Sequence, residues 1–130
     1  MTKQLATPVA ALVPDRHRSP AITMAAIRRY ARQVAERFRP DKIILFGSYA
    51  YGTPHEDSDV DLMVVMPTAN HASQAIRIRL ALPAPFPLDL LVRTPDDLCR
   101  GLKEDDWFVR EVVEKGKVLY EARNRSTGHR

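Results

Sequence analysis

The stretch GSYAYGTPHEDSDVDLMVV, residues 47–65, decides the fold and poses the main chemical question of this chain. It opens on Gly47 and Ser48 and closes on an apolar run that is typical of a buried β-strand. Between them, four acidic residues occupy six positions: Glu56, Asp57, Asp59 and Asp61. Two of these acids stand at the start of the apolar run, where adjacent negative charges require an explanation.

The pair Asp59 and Asp61 indicates a cation site. Side chains two positions apart on a strand point the same way, so both carboxylates face one region and repel each other. A shared proton, a basic partner or a metal ion can offset that repulsion. Residues 43–76 contain no Lys or Arg. A divalent cation such as Mg²⁺ fits well, because it prefers a few carboxylates together with water and phosphate oxygens.

A third acid, Asp89, interrupts the apolar segment PLDLLV at residues 87–92. An unpaired buried carboxylate is costly, so an acid in such a strand calls for a partner. If this strand lies beside the one that begins near Asp61, Asp89 completes a three-carboxylate cluster. Such a cluster can hold two metal ions for in-line phosphoryl or nucleotidyl transfer.

Gly47 and Ser48 supply the second half of the candidate site. A glycine at a strand end, followed by a short helical turn, lets backbone N–H groups approach a phosphate closely. The serine hydroxyl can donate one more hydrogen bond. Metal and turn together are interpreted as a site for a nucleoside triphosphate.

The length and composition of the chain limit the classes of protein it can be. Its 130 residues suffice for one ordinary domain with one core. No segment approaches the roughly 18 apolar residues of a membrane span. The apolar residues 5–13 are interrupted by Pro8 and no cleavage site follows, so we expect a cytoplasmic protein with a loose leader. Cys99 is the only cysteine, which excludes an internal disulfide.

The net charge of +4 belongs to the two ends of the chain. Residues 1–20 and residues 121–130 each sum to +2, while residues 21–120 hold fourteen charges of each sign. A basic tail can bind nucleic acid weakly, but charged frayed ends are the commoner explanation.

Hydrophobic periodicity and turn residues predict strands that alternate with helices. Ser19 and Pro20 form a helix start signal, and Pro40 ends that helix near Arg39. Gly116 is the expected stop of a later helix. Further helices are predicted at 70–82, from Thr94–Pro95 onwards and within 105–116, with one helical turn at 48–51. The predicted strands are 42–47, 60–66, 88–93 and 117–121.

This order predicts an α/β (α+β) domain, a small mixed β-sheet with flanking helices, because the first two strands are joined by only a short turn-rich loop. The expected organisation is a flexible N-terminal leader at 1–19, the domain at 20–121 and a basic C-terminal tail at 122–130.

Simpler interpretations exist for most of these residues. Asp59 and Asp61 alone could be ordinary turn and strand-edge acids, but Gly47–Ser48 and Asp89 make that interpretation the weaker one. The other polar and aromatic candidates are assigned to loop, surface or core: Glu56 and Asp57 to a solvated loop, His17, His55, His71 and His129 to the surface, Trp107 to packing, and Arg77 and Arg79 to a solvated helix face.

Gly-Ser, ten residues and then Asp-Val-Asp-Leu resembles the signature of the DNA polymerase beta-type nucleotidyltransferase superfamily. The whole stretch 47–65 is similar to the minimal nucleotidyltransferases called MNT, over roughly residues 20–121. The resemblance implies a nucleotidyltransferase fold, ATP bound by Gly47 and Ser48, and Mg²⁺ bound by Asp59 and Asp61. Asp89 matches the third carboxylate, which helps to bind metal and acts as base toward the acceptor hydroxyl. Relatives often carry arginines where this chain has Tyr49 and Tyr51.

The resemblance also implies an acceptor on another polypeptide. MNT proteins are typically paired with a helical HEPN toxin and act as its antitoxin, and some transfer AMP from ATP to a toxin tyrosine. We therefore expect an MNT-type antitoxin that is a protein adenylyltransferase. Two alternatives stay open: a catalytically silent module that neutralises its partner by contact, and a small-molecule nucleotidyltransferase of the antibiotic-modifying type.

Overall fold

The computed structural model describes residues 22–123, which form five helices and four strands. In chain order these are α1 (Met24–Phe38), β1 (Lys42–Phe46), α2 (Ser48–Tyr51), β2 (Val60–Val65), α3 (His71–Ala81), β3 (Leu88–Arg93), α4 (Pro95–Lys103), α5 (Trp107–Lys115) and β4 (Lys117–Glu121). The predicted leader, the helix signal at Ser19–Pro20 and most of the predicted tail lie outside these residues. Within them, no helix combines the length and the apolarity needed to cross a membrane.

The four strands form one mixed sheet in the order β3-β2-β1-β4. The strand β1 pairs antiparallel with β2 on one side and with β4 on the other. The strands β2 and β3 pair in parallel, and α3 makes the crossover between them. The predicted small mixed sheet with flanking helices is therefore confirmed.

Alternating side chains of the sheet enter two apolar clusters, one on each face. The larger cluster joins α1 and α3 to the sheet through residues such as Ile27, Leu45 and Leu62. On the other face, Ile44 and Met63 pack with Val112 of α5. Asp61 follows the same alternation as Met63, so its side chain belongs to the face of the sheet that α5 partly covers.

The first described helix begins later than the Ser19–Pro20 signal predicts. Its N-cap is Thr23, whose Oγ1 accepts a hydrogen bond from the N–H of Ala26 at 3.0 Å. Ile22 and Ile27 occupy the two positions of a hydrophobic staple, and both belong to the larger core cluster. Contact of both isoleucines with the core favours a helix that begins at Met24.

The helix α4 begins as its sequence predicts. The Thr94 Oγ1 accepts from the N–H of Asp97 at 3.0 Å, and the Asp97 carboxylate accepts from the N–H of Thr94 at 2.8 Å. Asp97 also pairs with Arg100 at 2.7 Å and with His71 at 2.8 Å. His71, predicted to be a simple surface residue, thus links α3 to the start of α4.

Gly116 ends α5 as predicted, and its backbone is extended. The glycine is needed because a Cβ there would run into the carbonyl of Val112 and the side chain of Ile44. Trp107, predicted to pack, is 71% exposed because it is the first residue of α5 and precedes the buried positions of that helix.

Candidate active site

Asp61 and Asp89 are direct neighbours across the parallel strands β2 and β3. Adjacent strands lie about 4.8 Å apart, so parallel register places both side chains on one face of the sheet. On the other side of β2, Asp61 faces Phe46, the last residue of β1. Phe46 in turn packs edge-to-face on Phe108 of α5, with ring centres 5.6 Å apart. The sheet therefore brings two predicted site acids together beside an apolar wall.

Asp59 lies in the segment that leads into β2. It is exposed, and it precedes the buried Val60, whereas Asp61 is half-buried. The alternation of buried and exposed residues from Ser58 to Asp61 places Asp59 and Asp61 on the same side. The predicted common orientation of the two acids agrees with this pattern.

The electrostatics of the site concentrate on Asp61. The pKa of its carboxyl is raised from the ordinary 3.8 to about 6, first by burial and then by the negative charges of Asp89 and Asp59. Like charges close together disfavour ionisation of the most buried member of the group. The three carboxylates thus act on one another, and a cation or a proton would relieve their repulsion.

Asp89 differs from its expected environment. The sequence suggested a carboxylate buried in an apolar strand, but Asp89 is exposed, while Leu90 and Val92 of the same strand are buried. β3 is an edge strand of the described sheet, so its outward positions reach solvent. Register with Asp61, rather than burial, is what makes Asp89 a candidate site residue.

Gly47 joins β1 to the short helix α2 with a backbone that favours glycine. Its φ is +76°, and a Cβ at this position would collide with the carboxylate of Asp61. The carbonyl of Gly47 accepts from the N–H groups of Ala50 and Tyr51, at 3.0 and 3.1 Å. The backbone of Gly47 therefore lies directly against Asp61. Ser48 follows as the first residue of α2.

The two tyrosines of this turn have different surroundings. Tyr49 is half-buried and packs against the larger core cluster. Tyr51 donates a hydrogen bond from its hydroxyl to Oε2 of Glu111 in α5, at 2.8 Å. Burial, and next the hydrogen bond to Glu111, raise the pKa of Tyr51. The acidic side chain of Glu111 thus binds the last residue of α2.

The loop before β2 is built from its own polar residues. The N–H of His55 donates to Oγ of Ser58 at 2.9 Å, and the N–H of Asp57 donates to Nδ1 of His55 at 3.3 Å. Glu56 and Asp57 are exposed, in agreement with the prediction of solvated loop acids. This loop borders an open groove of about 800 Å³, whose opposite wall includes Phe86.

The donor chemistry of the site suits Mg²⁺. Carboxylate oxygens are hard ligands, and Mg²⁺ usually takes only one or two of them, with water and substrate phosphates completing its shell. Within residues 22–123, no three His, Cys, Asp or Glu side chains already stand in metal-holding positions. Because Asp59 and Asp89 are exposed, their side chains are free to turn toward a cation, and the three-ligand set remains a prediction.

Comparisons with known proteins give a family and a fold. The model of the family described as nucleotidyltransferase domain matches residues 27–120. A Methanocaldococcus jannaschii protein named "Putative protein adenylyltransferase MJ0604" is 33% identical over 98 residues, which cover 73% of this chain and 95% of that protein.

Solved structures include a similar fold. A crystal structure described as "a putative nucleotidyltransferase from Sulfolobus solfataricus" superposes with a TM-score of 0.55 at 17% identity, covering 78% of this chain and 81% of the other. A structure described as "the toxin-antitoxin with AMP-PNP" gives a TM-score of 0.46 at 25% identity, over 75% of each chain.

Proposed function

The chain belongs to the nucleotidyltransferase domain family, and from that premise we propose that it is a Mg²⁺-dependent protein adenylyltransferase. The expected superfamily and the expected fold are confirmed by the family match and by the Sulfolobus solfataricus structure. The proposed reaction transfers AMP from ATP to a tyrosine of another protein. The name of the Methanocaldococcus jannaschii relative supports this acceptor class.

One observation carries the proposal: Asp61 lies opposite Asp89 and against the backbone of Gly47. Carboxylates and a glycine turn can serve the same nucleotide only if they are adjacent, because a cation held by the carboxylates would stabilise the charge of phosphates bound at the turn. Antiparallel pairing of β1 with β2 brings the end of β1 to the start of β2, and parallel pairing of β3 adds the third acid.

Each residue of the candidate site has a separate role in the proposed reaction. Backbone N–H groups of the Gly47 turn and the hydroxyl of Ser48 would bind the triphosphate. Asp59, Asp61 and Asp89 would hold Mg²⁺, which would supply charge stabilisation to the phosphates. Asp89 would accept the proton of the tyrosyl hydroxyl while the tyrosyl oxygen forms a bond to the α-phosphorus of ATP. The bond between the α-phosphorus and the oxygen that joins it to the β-phosphate breaks, and pyrophosphate leaves. The tyrosine then carries AMP through a phosphodiester.

The proposed partner is a helical HEPN-type toxin, which makes this chain an MNT-type antitoxin. The support is the resemblance of residues 47–65 to MNT proteins together with the adenylyltransferase name of the relative. An AMP group adds a negative charge and a bulky base, and near a nuclease site it would block substrate by charge and volume.

Intact-mass spectrometry of the chain co-expressed with a candidate HEPN-type partner, sought in the neighbouring reading frames, tests this proposal. We expect AMP on the partner with the wild type and an unmodified partner with Asp59→Ala plus Asp61→Ala. Glu56→Ala plus Asp57→Ala is a matched control, since it removes two exposed acids of the loop before β2 and should leave the modification intact. A partner that is unmodified by the wild type would contradict the adenylyltransferase assignment.

Tyr51 supports a second candidate, a catalytically silent module that neutralises its partner by contact. Tyr51 is uncharged, so it supplies no cation for a phosphate. Its hydroxyl donates a hydrogen bond to the carboxylate of Glu111, which would repel a phosphate nearby. In that case the co-expressed partner would be neutralised without any gain in mass.

A further inference from the structure

The helix α3 exposes two large aliphatic side chains. Ile76 is 57% exposed and Leu80 is 77% exposed. Because they are four positions apart on a helix, they lie next to each other on one face. We call this pair the Ile76–Leu80 ridge.

The fold itself does not require this ridge. α3 packs on the sheet through its opposite face, where Gln74 and Ile78 are buried and Ala75 is half-buried. A surface helix ordinarily has one apolar stripe and polar residues elsewhere. α3 has apolar residues on both sides, and exposed apolar groups next to each other are typical of interaction surfaces.

Arginines flank the ridge. At 100° per residue, Arg77 and Arg79 fall on opposite sides of the line through Ile76 and Leu80. Arg77 donates to Oε1 of Gln74 at 3.3 Å, and Arg79 donates to the carbonyl of Leu88 at 2.7 Å. Within residues 22–123 neither guanidinium reaches an acidic side chain at ion-pair distance. The borders of the ridge therefore keep their positive charge.

We infer that the Ile76–Leu80 ridge is the docking site for an amphipathic helix of a partner protein, with acidic residues beside its own apolar stripe. Helices pack in this way when an apolar seam is bordered by opposite charges on the two partners. A second copy of this chain is the wrong occupant, because it would bring arginines against arginines.

The ridge is linked to the candidate site through the chain, although α3 covers the face of the sheet opposite to the side chains of Asp61 and Asp89. α3 leads through one loop into β3, and Asp89 is the second residue of that strand. Arg79 also holds the carbonyl of Leu88, the residue next to Asp89. The role of presenting an acceptor rests on the proposed function, but docking itself requires neither ATP nor metal.

The test uses a fluorescein-labelled peptide of 28 residues in heptads, with Leu at positions a and d and Glu at e and g. A second peptide with Lys at e and g is its charge control. Fluorescence anisotropy at low salt, without ATP, should show that the acidic peptide binds the wild type at least tenfold more tightly than the basic one. Ile76→Ser plus Leu80→Ser should weaken that binding at least tenfold. Trp107→Ser, which removes a distant exposed apolar group, should not change it.

Arg77→Glu should weaken binding of the acidic peptide and strengthen binding of the basic one, and added salt should reduce both effects. Equal binding of the two peptides, or wild-type affinity in the double serine variant, would overturn the inference. So would a wild-type dimer that the double serine variant dissolves, since the ridge would then bind a second copy. Each readout is independent of adenylyl transfer, because the peptides are measured without nucleotide and Asp61→Asn should bind them normally.

Discussion

The carboxylate of Asp61 occupies the space that any side chain at Gly47 would need. This contact joins the end of β1 to the start of β2, and it brings the candidate phosphate-binding turn against the candidate metal ligand. In the proposed site the Gly47 turn binds phosphate and Asp61 binds the metal ion. A change at either residue should therefore disturb both halves of the site.

Gly47→Ala should abolish ATP binding and lower the free energy of unfolding by about 2 kcal/mol, since it combines a positive φ with a steric collision. Gly52→Ala is the matched control. Gly52 has a φ of +80°, but a Cβ added there would meet open space. Alanine at this position should therefore lower the free energy of unfolding by about 1 kcal/mol and leave ATP binding intact. Urea unfolding and calorimetry with ATP check both variants. Equal loss of ATP binding in the two would remove the collision as the explanation.

Asp61→Asn should abolish transfer and stabilise the metal-free protein at pH 7. The folded-state pKa of Asp61 is raised to about 6, so folding favours its protonated form and wild-type stability falls as the pH rises from about 4 to 6. The asparagine variant lacks this loss and should be more stable by about 1 kcal/mol above pH 6, after allowance for solvent screening. Urea unfolding at pH 4 and pH 7 measures the difference. A gain that is equal at both pH values would speak against the titration of Asp61.

Asp97→Ala should destabilise the protein at neutral pH by about 1–2 kcal/mol without changing nucleotide affinity. Hydrogen bonds from the backbone of Thr94, foremost, hold the pKa of Asp97 at about 2. This stabilisation is complete above the ordinary pKa of 3.8 and disappears as the pH falls toward 2. Wild type and variant should therefore converge in acid, which thermal unfolding at pH 2.5 and pH 7 would show. A constant difference would assign the effect to packing instead.

Removal of Mg²⁺ should abolish ATP binding, because the acids of the site would otherwise repel the triphosphate. Calorimetry with ATP should show heat of binding with Mg²⁺ and none with excess EDTA. Asp89→Asn should raise the Mg²⁺ concentration needed, whereas Asp57→Asn, an exposed loop change, should not. ATP affinity that EDTA leaves unchanged would exclude the proposed metal site.

Local sequence signals predicted the elements well where one short segment contains all of the information. The β3 segment 88–93 and the β4 segment 117–121 have the predicted bounds, and Thr94 caps α4 as expected. The α1 start did not follow from such a signal. The observed cap is Thr23 rather than the predicted Ser19, and Ile22 and Ile27, on either side of Thr23, both contact the core.

The amino-acid sequence alone predicts the composition of the candidate site: a Gly-Ser turn, two acids at the start of one strand and a third acid in an apolar segment. Spacing along a strand is enough to put Asp59 and Asp61 on one side, since side chains alternate with a period of two. Only the tertiary structure decided that β3 lies parallel to β2 in the register that pairs Asp61 with Asp89. It also left Asp89 exposed on an edge strand, tied Tyr51 to Glu111 and left the Ile76–Leu80 ridge uncovered. Strand order, register and exposure depend on contacts between distant segments, and no local pattern of residues encodes them.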